Sequence, residues 1–249
     1  MGTAVVTGAS SGLGRELAVL LAARGESVVA VARSRSSLEE LAATSPRIKV
    51  VAADLGTQEG RDELANQVTD VDILVNNAGF GATGNFGELA REQSDQMVEV
   101  NVVAVTDLTA RWLPRMLEQR SGRIVNVAST AAFQPGPKMA VYYASKAFVL
   151  SFTEALAEEL RGTGVTATAF CPGAFASGFQ KVAGMEESRL VKGRTLPTSK
   201  EMAQAALSAM DRGQVVAVPG ALNKLGTLGP RFAPRPLVRR MVHWIQSDG

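Results

Sequence analysis

Two stretches of the chain carry residue types that could do chemistry. The first is Thr7-Gly8-Ala9-Ser10-Ser11-Gly12-Leu13-Gly14, which follows the apolar run Thr3-Ala4-Val5-Val6. It opens a segment, residues 13–24, whose apolar residues recur three and four apart. Strand, glycine turn and helix in that order make an anion site. The unpaired N–H groups and partial positive charge of a helix N-terminus attract phosphate, and glycines let a pyrophosphate come close. The second stretch is Tyr142-Tyr143-Ala144-Ser145-Lys146. Residues four apart share a helix face, so Tyr142 and Lys146 bring a phenol and an ammonium to one side. That side points toward the carboxyl ends of the strands, where ligands bind in open α/β sheets.

Neither stretch is decisive alone. The spacing G-x-x-x-G-x-G differs from the commonest dinucleotide fingerprint, and a plain Gly/Ser loop is the bland alternative. The Lys-Ser/Thr of a P-loop is missing, so an ATPase reading is poor. Gly8-Ala9-Ser10-Ser11-Gly12 also spells the G-x-S-x-G nucleophile elbow of hydrolases. That elbow needs a base, and the sole histidine, His243, lies in a basic tail. The elbow also follows a later, central strand. A lone Y-x-x-x-K is usually a surface pair. Here it stands behind a strand that ends in Ser129 and before one that ends in Pro172-Gly173. No His/Cys cluster suggests a metal.

The elements that must position these groups alternate along 249 residues. Strands are expected at residues 3–6, 27–32, 48–52, 71–75, 123–129, 165–171 and 215–218. Helices are expected at 13–24, about 38–42, 57–69, 94–120 with a break or kink at Pro114, 141–161 and 199–211. Residues 174–197 read as an irregular substrate loop. Alternating strands and helices imply an α/β fold, a single Rossmann-type doubly wound parallel sheet of about seven strands with helices on both faces. No repeat or linker divides the chain, so one domain is expected.

Composition excludes several classes. The net charge of +2 is no nucleic-acid signature. The sole cysteine, Cys171, reads as a buried small apolar residue. The chain begins on a strand with no leader-like segment and holds no long apolar stretch, so a cytoplasmic protein is expected. Residues 220–249 differ: five cations face one acid, Asp248, among regularly spaced apolar residues. Packing on the domain itself or on a sister subunit is favoured there over a membrane surface.

The second strand reveals which nucleotide suits the turn. An acid at its end would bind a ribose 2′-hydroxyl, but Ala32 stands there and Arg33 follows. An arginine pairs with a 2′-phosphate, and Ser10 could add a hydrogen bond, so NADP(H) is favoured over NAD(H).

Taken together, Thr7 to Gly14, Asp54, Asn76-Asn77-Ala78-Gly79, Asn101, Ser129, Tyr142, Lys146 and Pro172-Gly173 make a specific ordered set. Over nearly its whole length the chain resembles the short-chain dehydrogenase/reductase family, most of all its NADP-dependent carbonyl reductases. The resemblance implies that Tyr142 is the acid/base, selected over Tyr143 by the lysine four residues on. Lys146 would lower its pKa and bind ribose, Ser129 would hold the substrate oxygen, and Asn101 would position a relay water. The turn residues Gly8, Ser10, Ser11, Gly12, Leu13 and Gly14 would hold the cofactor, with Asp54 and Leu55 at the adenine. Asn77, Ala78 and Gly79 would line the ribose, beside Pro172 and Gly173. Ser177 takes the place of the family's carboxamide-binding Thr. Homodimers or homotetramers are implied through the helices at 94–120 and 141–161.

Pocket walls are expected from Phe80, Phe86, Phe133, Gln134 and Met139, with Phe175, Phe179, Val182, Met185 and Leu190 from the loop. These favour an apolar ketone or aldehyde, or the alcohol in reverse. The competing readings are a catalytically silent NADP(H)-binding regulator and a membrane-peripheral reductase of lipid-like substrates.

Overall fold

The computed structural model describes residues 2–184 and 195–246. Its elements run β1 (Thr3–Thr7), α1 (Gly12–Ala23), β2 (Ser27–Ala32), α2 (Arg35–Ala42), β3 (Ile48–Ala52), α3 (Gln58–Gln67) and β4 (Ile73–Asn76). Then come α4 (Arg91–Val98), α5 (Ala104–Gln119), β5 (Gly122–Val127), α6 (Ala140–Glu159), β6 (Val165–Phe170), α7 (Phe179–Ala183), α8 (Ser199–Asp211), β7 (Val216–Ala217), α9 (Ala221–Phe232) and α10 (Arg235–Gln246).

The strands form one sheet in the order β3-β2-β1-β4-β5-β6-β7, every pairing parallel. A parallel sheet buried on both faces needs continuous apolar strands, and β1 shows why. Ala4 and Val6 face one core, with Leu17, Leu21 and Ala206, while Val5 faces the other, with Leu64, Leu108 and Trp112. The strand order reverses between β1 and β4, which opens a crevice at their carboxyl ends.

The region expected as one helix over 94–120 differs. α4 starts earlier, a wide π turn spans Glu99–Val103, and α5 runs through Pro114 without ending. Val105, Leu108, Trp112 and Met116 form a buried stripe on α5. That packing outweighs the hydrogen bond a proline removes. β5 stops two residues before Ser129, which begins a short 3-10 turn. Within the loop expected to be irregular, α7 forms one short helix. Met185 and Leu190 lie outside the described residues.

Candidate active site

The glycine turn has the backbone its composition requires. Gly8 and Gly12 take positive φ of 67° and 53°. A Cβ on Gly8 would lie 2.9 Å from the Ala78 Cα, and one on Gly14 would collide with the Gly8 carbonyl oxygen. Ser11 caps α1 in extended conformation with no side-chain capping bond, and no acid stands in the first turn. The free N–H groups therefore face an uncrowded space of positive potential.

Asn77 fastens this turn. Its Nδ2 donates to the carbonyls of Thr7 at 2.8 Å and Gly8 at 3.3 Å. The Thr7 hydroxyl accepts from the N–H groups of Asn77 and Ala78, both at 2.9 Å, and donates to the Val75 carbonyl. Thr7 opens the stretch read from sequence, but no role was assigned to it there.

Across the crevice, α6 presents Tyr142 and Lys146 one turn apart, both buried. Lys146 Nζ donates to the Val127 carbonyl at the end of β5 (2.7 Å) and lies 5.9 Å from the centre of the Tyr142 ring. Ser129 Oγ accepts from the Ala131 N–H (3.1 Å) and reaches the Pro172 carbonyl (3.5 Å). Burial pushes the Tyr142 phenol up to about 12, against a hydrogen bond from Ser129 that pulls it down. Burial likewise pushes Lys146 down to about 8. Lys146, expected to lower the phenol's pKa, is not among the groups that move it here. Desolvation outweighs every attraction at the tyrosine, and the ammonium is turned to a backbone carbonyl.

Turn, triad and loop line one cavity of about 340 Å³. Gly8, Ser11, Gly12, Leu13 and Gly14 meet there with Asn77, Ala78, Gly79, Ser129, Tyr142, Lys146, Pro172, Gly173 and Ser177. A phosphate-binding turn and a proton donor thus share one space at the carboxyl edge of the sheet.

A family model described as short chain dehydrogenase matches residues 2–188. The chain belongs to the short-chain dehydrogenase family. It is 39% identical over 175 residues to an oxidoreductase of Staphylococcus epidermidis, covering 68% of this chain and 76% of that one. A short-chain dehydrogenase from Sphingobium yanoikuyae in complex with NADPH superposes with a TM-score of 0.83 at 30% identity, covering 92% of each chain. A bulky-bulky ketone specific alcohol dehydrogenase from Comamonas testosteroni gives 0.79 at 32% identity, again over 92% of each.

Not every expected residue of this dehydrogenase reaches the cavity. Ser10, Arg33, Asp54 and Leu55 are not among its lining residues. Arg33 follows β2 and Asp54 follows β3, adjacent strands of the sheet, and Arg33 is exposed. Asp54 Oδ1 accepts from the Gly56 N–H at 2.9 Å. The Leu55 side chain turns into the core beside Val31 and Leu64, leaving only its backbone for the adenine contact expected of it. Asn101 sits in the π turn behind the cavity. Its amide exchanges hydrogen bonds with the Phe80 backbone (3.1 and 3.0 Å) and donates to Ser145 Oγ (3.0 Å). The side chain holds the Gly79-Phe80 loop against α6, so any water relay must use another part of the residue.

Phe80, Gln134, Met139, Phe175 and Phe179 do line the cavity. Phe86 does not, being 65% exposed in a 3-10 turn, and Phe133 instead lines a second cavity against α9 and α10. Both corrections share a cause, since an aromatic near a glycine loop does not reveal which way it turns. Gln180 was missed. It accepts from Ser177 Oγ at 3.2 Å and lines the cavity three residues beyond that serine. Tyr143 is no idle neighbour either: its hydroxyl accepts from Gln246 of α10, joining the site to the tail.

Proposed function

We propose that this dehydrogenase moves a hydride between NADP(H) and the carbonyl carbon of an apolar ketone or aldehyde. One observation carries the reading: Ser129, Tyr142 and Lys146 converge in the cavity that the glycine turn also lines. The residues suit a dinucleotide. A side chain at Gly8 or Gly14 would strike neighbouring backbone and distort the cradle, and Ala32 stands where an acid would repel a 2′-phosphate, with Arg33 next to it. The Sphingobium yanoikuyae relative, which binds NADPH, supports the same choice.

NADPH, when bound, supplies the hydride. Tyr142 donates its proton to the oxygen as that oxygen gains charge. A phenol held near 12 stays protonated at neutral pH and is still a far stronger acid than an alcohol. Ser129 accepts from the Ala131 N–H, which fixes its oxygen, and its proton, now within long reach of the Pro172 carbonyl, would turn to the same substrate oxygen. Lys146 uses one of three donors on Val127, which fixes the ammonium and leaves two for ribose hydroxyls. Asn101 is a positioning residue that sets the loop beside Lys146. Phe80, Met139, Phe175 and Phe179 give the cavity apolar walls, consistent with the ketone-specific relative. On the outer helices, exposed Leu117 and the stacked pair Phe148 and Phe152 fit a homodimer or homotetramer face.

The test is turnover of a carbonyl panel followed by NADPH absorbance. Apolar ketones should react, and Tyr142→Phe should abolish turnover while NADPH still binds by fluorescence titration. Reduction of small charged keto acids with no apolar carbonyl turned over would overturn the substrate reading.

A further inference from the structure

The tail offers a surface that neither fold nor catalysis explains. α10 is seated, not loose: Val238 and Val242 are buried in the cluster that holds Tyr142 and Tyr143, and Gln246 bonds the Tyr143 hydroxyl, while α9 buries Thr227. Yet their other faces expose large apolar side chains. Leu222, Leu225 and Phe232 line one side of α9 at 85%, 68% and 86% exposure. Leu237, Met241 and Trp244, four and three residues apart on α10, are each half or more exposed. Packing on its own domain or on a sister subunit is the expectation for this tail; within the single chain α10 buries one face and exposes the other.

Charge selects the occupant. Residues 220–246 contain Lys224, Arg231, Arg235, Arg239 and Arg240 and no acid. A second copy meeting this face across a two-fold axis would set cations against the same cations. An anionic bilayer instead accepts the apolar row and is attracted by the cations of the tail: Arg240 lies beside the row on α10, while Arg235 and Arg239 stand exposed at the rim of the second cavity. Among the described residues, no helix is long and apolar enough to cross a membrane, so the helices would lie flat in the interface. We infer that α9 and α10 form a docking face for anionic lipid surfaces.

The experiment is flotation of the full chain with vesicles of phosphatidylcholine, with and without about 30 mole per cent phosphatidylserine. Binding to the anionic vesicles should be at least about tenfold stronger and should weaken as salt rises. The triple variant Phe232→Gln, Leu237→Gln, Met241→Gln should lose about tenfold or more of that binding. It should keep its melting temperature and its turnover of a water-soluble ketone. A second triple variant, Arg235→Gln, Arg239→Gln, Arg240→Gln, should lose the preference for anionic lipid. Three results would overturn the inference. One is no vesicle binding by the folded protein. Another is equal binding to neutral and anionic vesicles. The third is a lower particle mass by light scattering for the first variant with vesicle binding intact, which gives the face to a second copy.

Discussion

The acidity of Tyr142 makes the sharpest test of how the site works. With the phenol near 12, about one molecule in ten thousand carries phenolate at pH 8. Had Lys146 brought it to neutrality, most molecules would. The two cases differ by several kcal/mol, at about 1.4 kcal/mol per pH unit. Alcohol oxidation needs the phenolate as base, so its kcat/KM should rise about tenfold per pH unit from pH 7, changing slope only where the Lys146 ammonium loses its proton near 8 and reaching no plateau below that. Carbonyl reduction needs the phenol and should not fall through tyrosine ionisation over that range. Ser129→Ala removes the one hydrogen bond that lowers the pKa, so its oxidation profile should shift further toward alkali. Both directions can be followed at 340 nm across a constant-ionic-strength buffer series. An oxidation profile already flat below pH 8 would show that the ammonium, not burial, sets the tyrosine, and the electrostatic account would fail.

Other substitutions probe the supporting geometry. Gly14→Ala places a methyl against the Gly8 carbonyl, so NADPH affinity should fall at least about a hundredfold by fluorescence titration, since only backbone can give way. Unchanged affinity would contradict the cradle. Gly79→Ala puts a Cβ 2.9 Å from Asn101 Oδ1 and 3.3 Å from Lys146 Nζ. Its kcat should drop about tenfold or more with circular dichroism unchanged, because near-attack geometry tolerates little displacement. Arg33→Ala should lower the preference for NADPH over NADH by about tenfold or more, the worth of a charge-assisted pair. A ratio that does not move would remove Arg33 from the cofactor site.

Legibility in the sequence followed the range of the interaction concerned. Tyr142 and Lys146 could be paired because helical geometry fixes residues four apart. The glycine turn could be found because its backbone demands particular residues in order. The apolar strands gave the sheet for the same local reason. That the Leu55 side chain turns into the core could not be read, because side-chain direction at a strand end depends on how the loop leaves it. Tyr143 was passed over because its partner, Gln246, is 103 residues away. The π turn at Glu99–Val103 left no mark in composition. It is a matter of one residue too many in a helix otherwise ordinary.

That surplus residue makes the site sensitive to deletion more than to replacement. Each helical residue advances the chain by about 100° of rotation. Removing one position from the bulge would restore regular winding and leave the faces of α4 and α5 where they are, so the change would fall on the wide turn that carries Asn101. Leu108 and Trp112 would keep their places under the sheet, but the Asn101 amide would leave the Phe80 backbone as the wide turn closed. A single-codon deletion there would be felt at the Lys146 ammonium, through a loop it never touches in sequence.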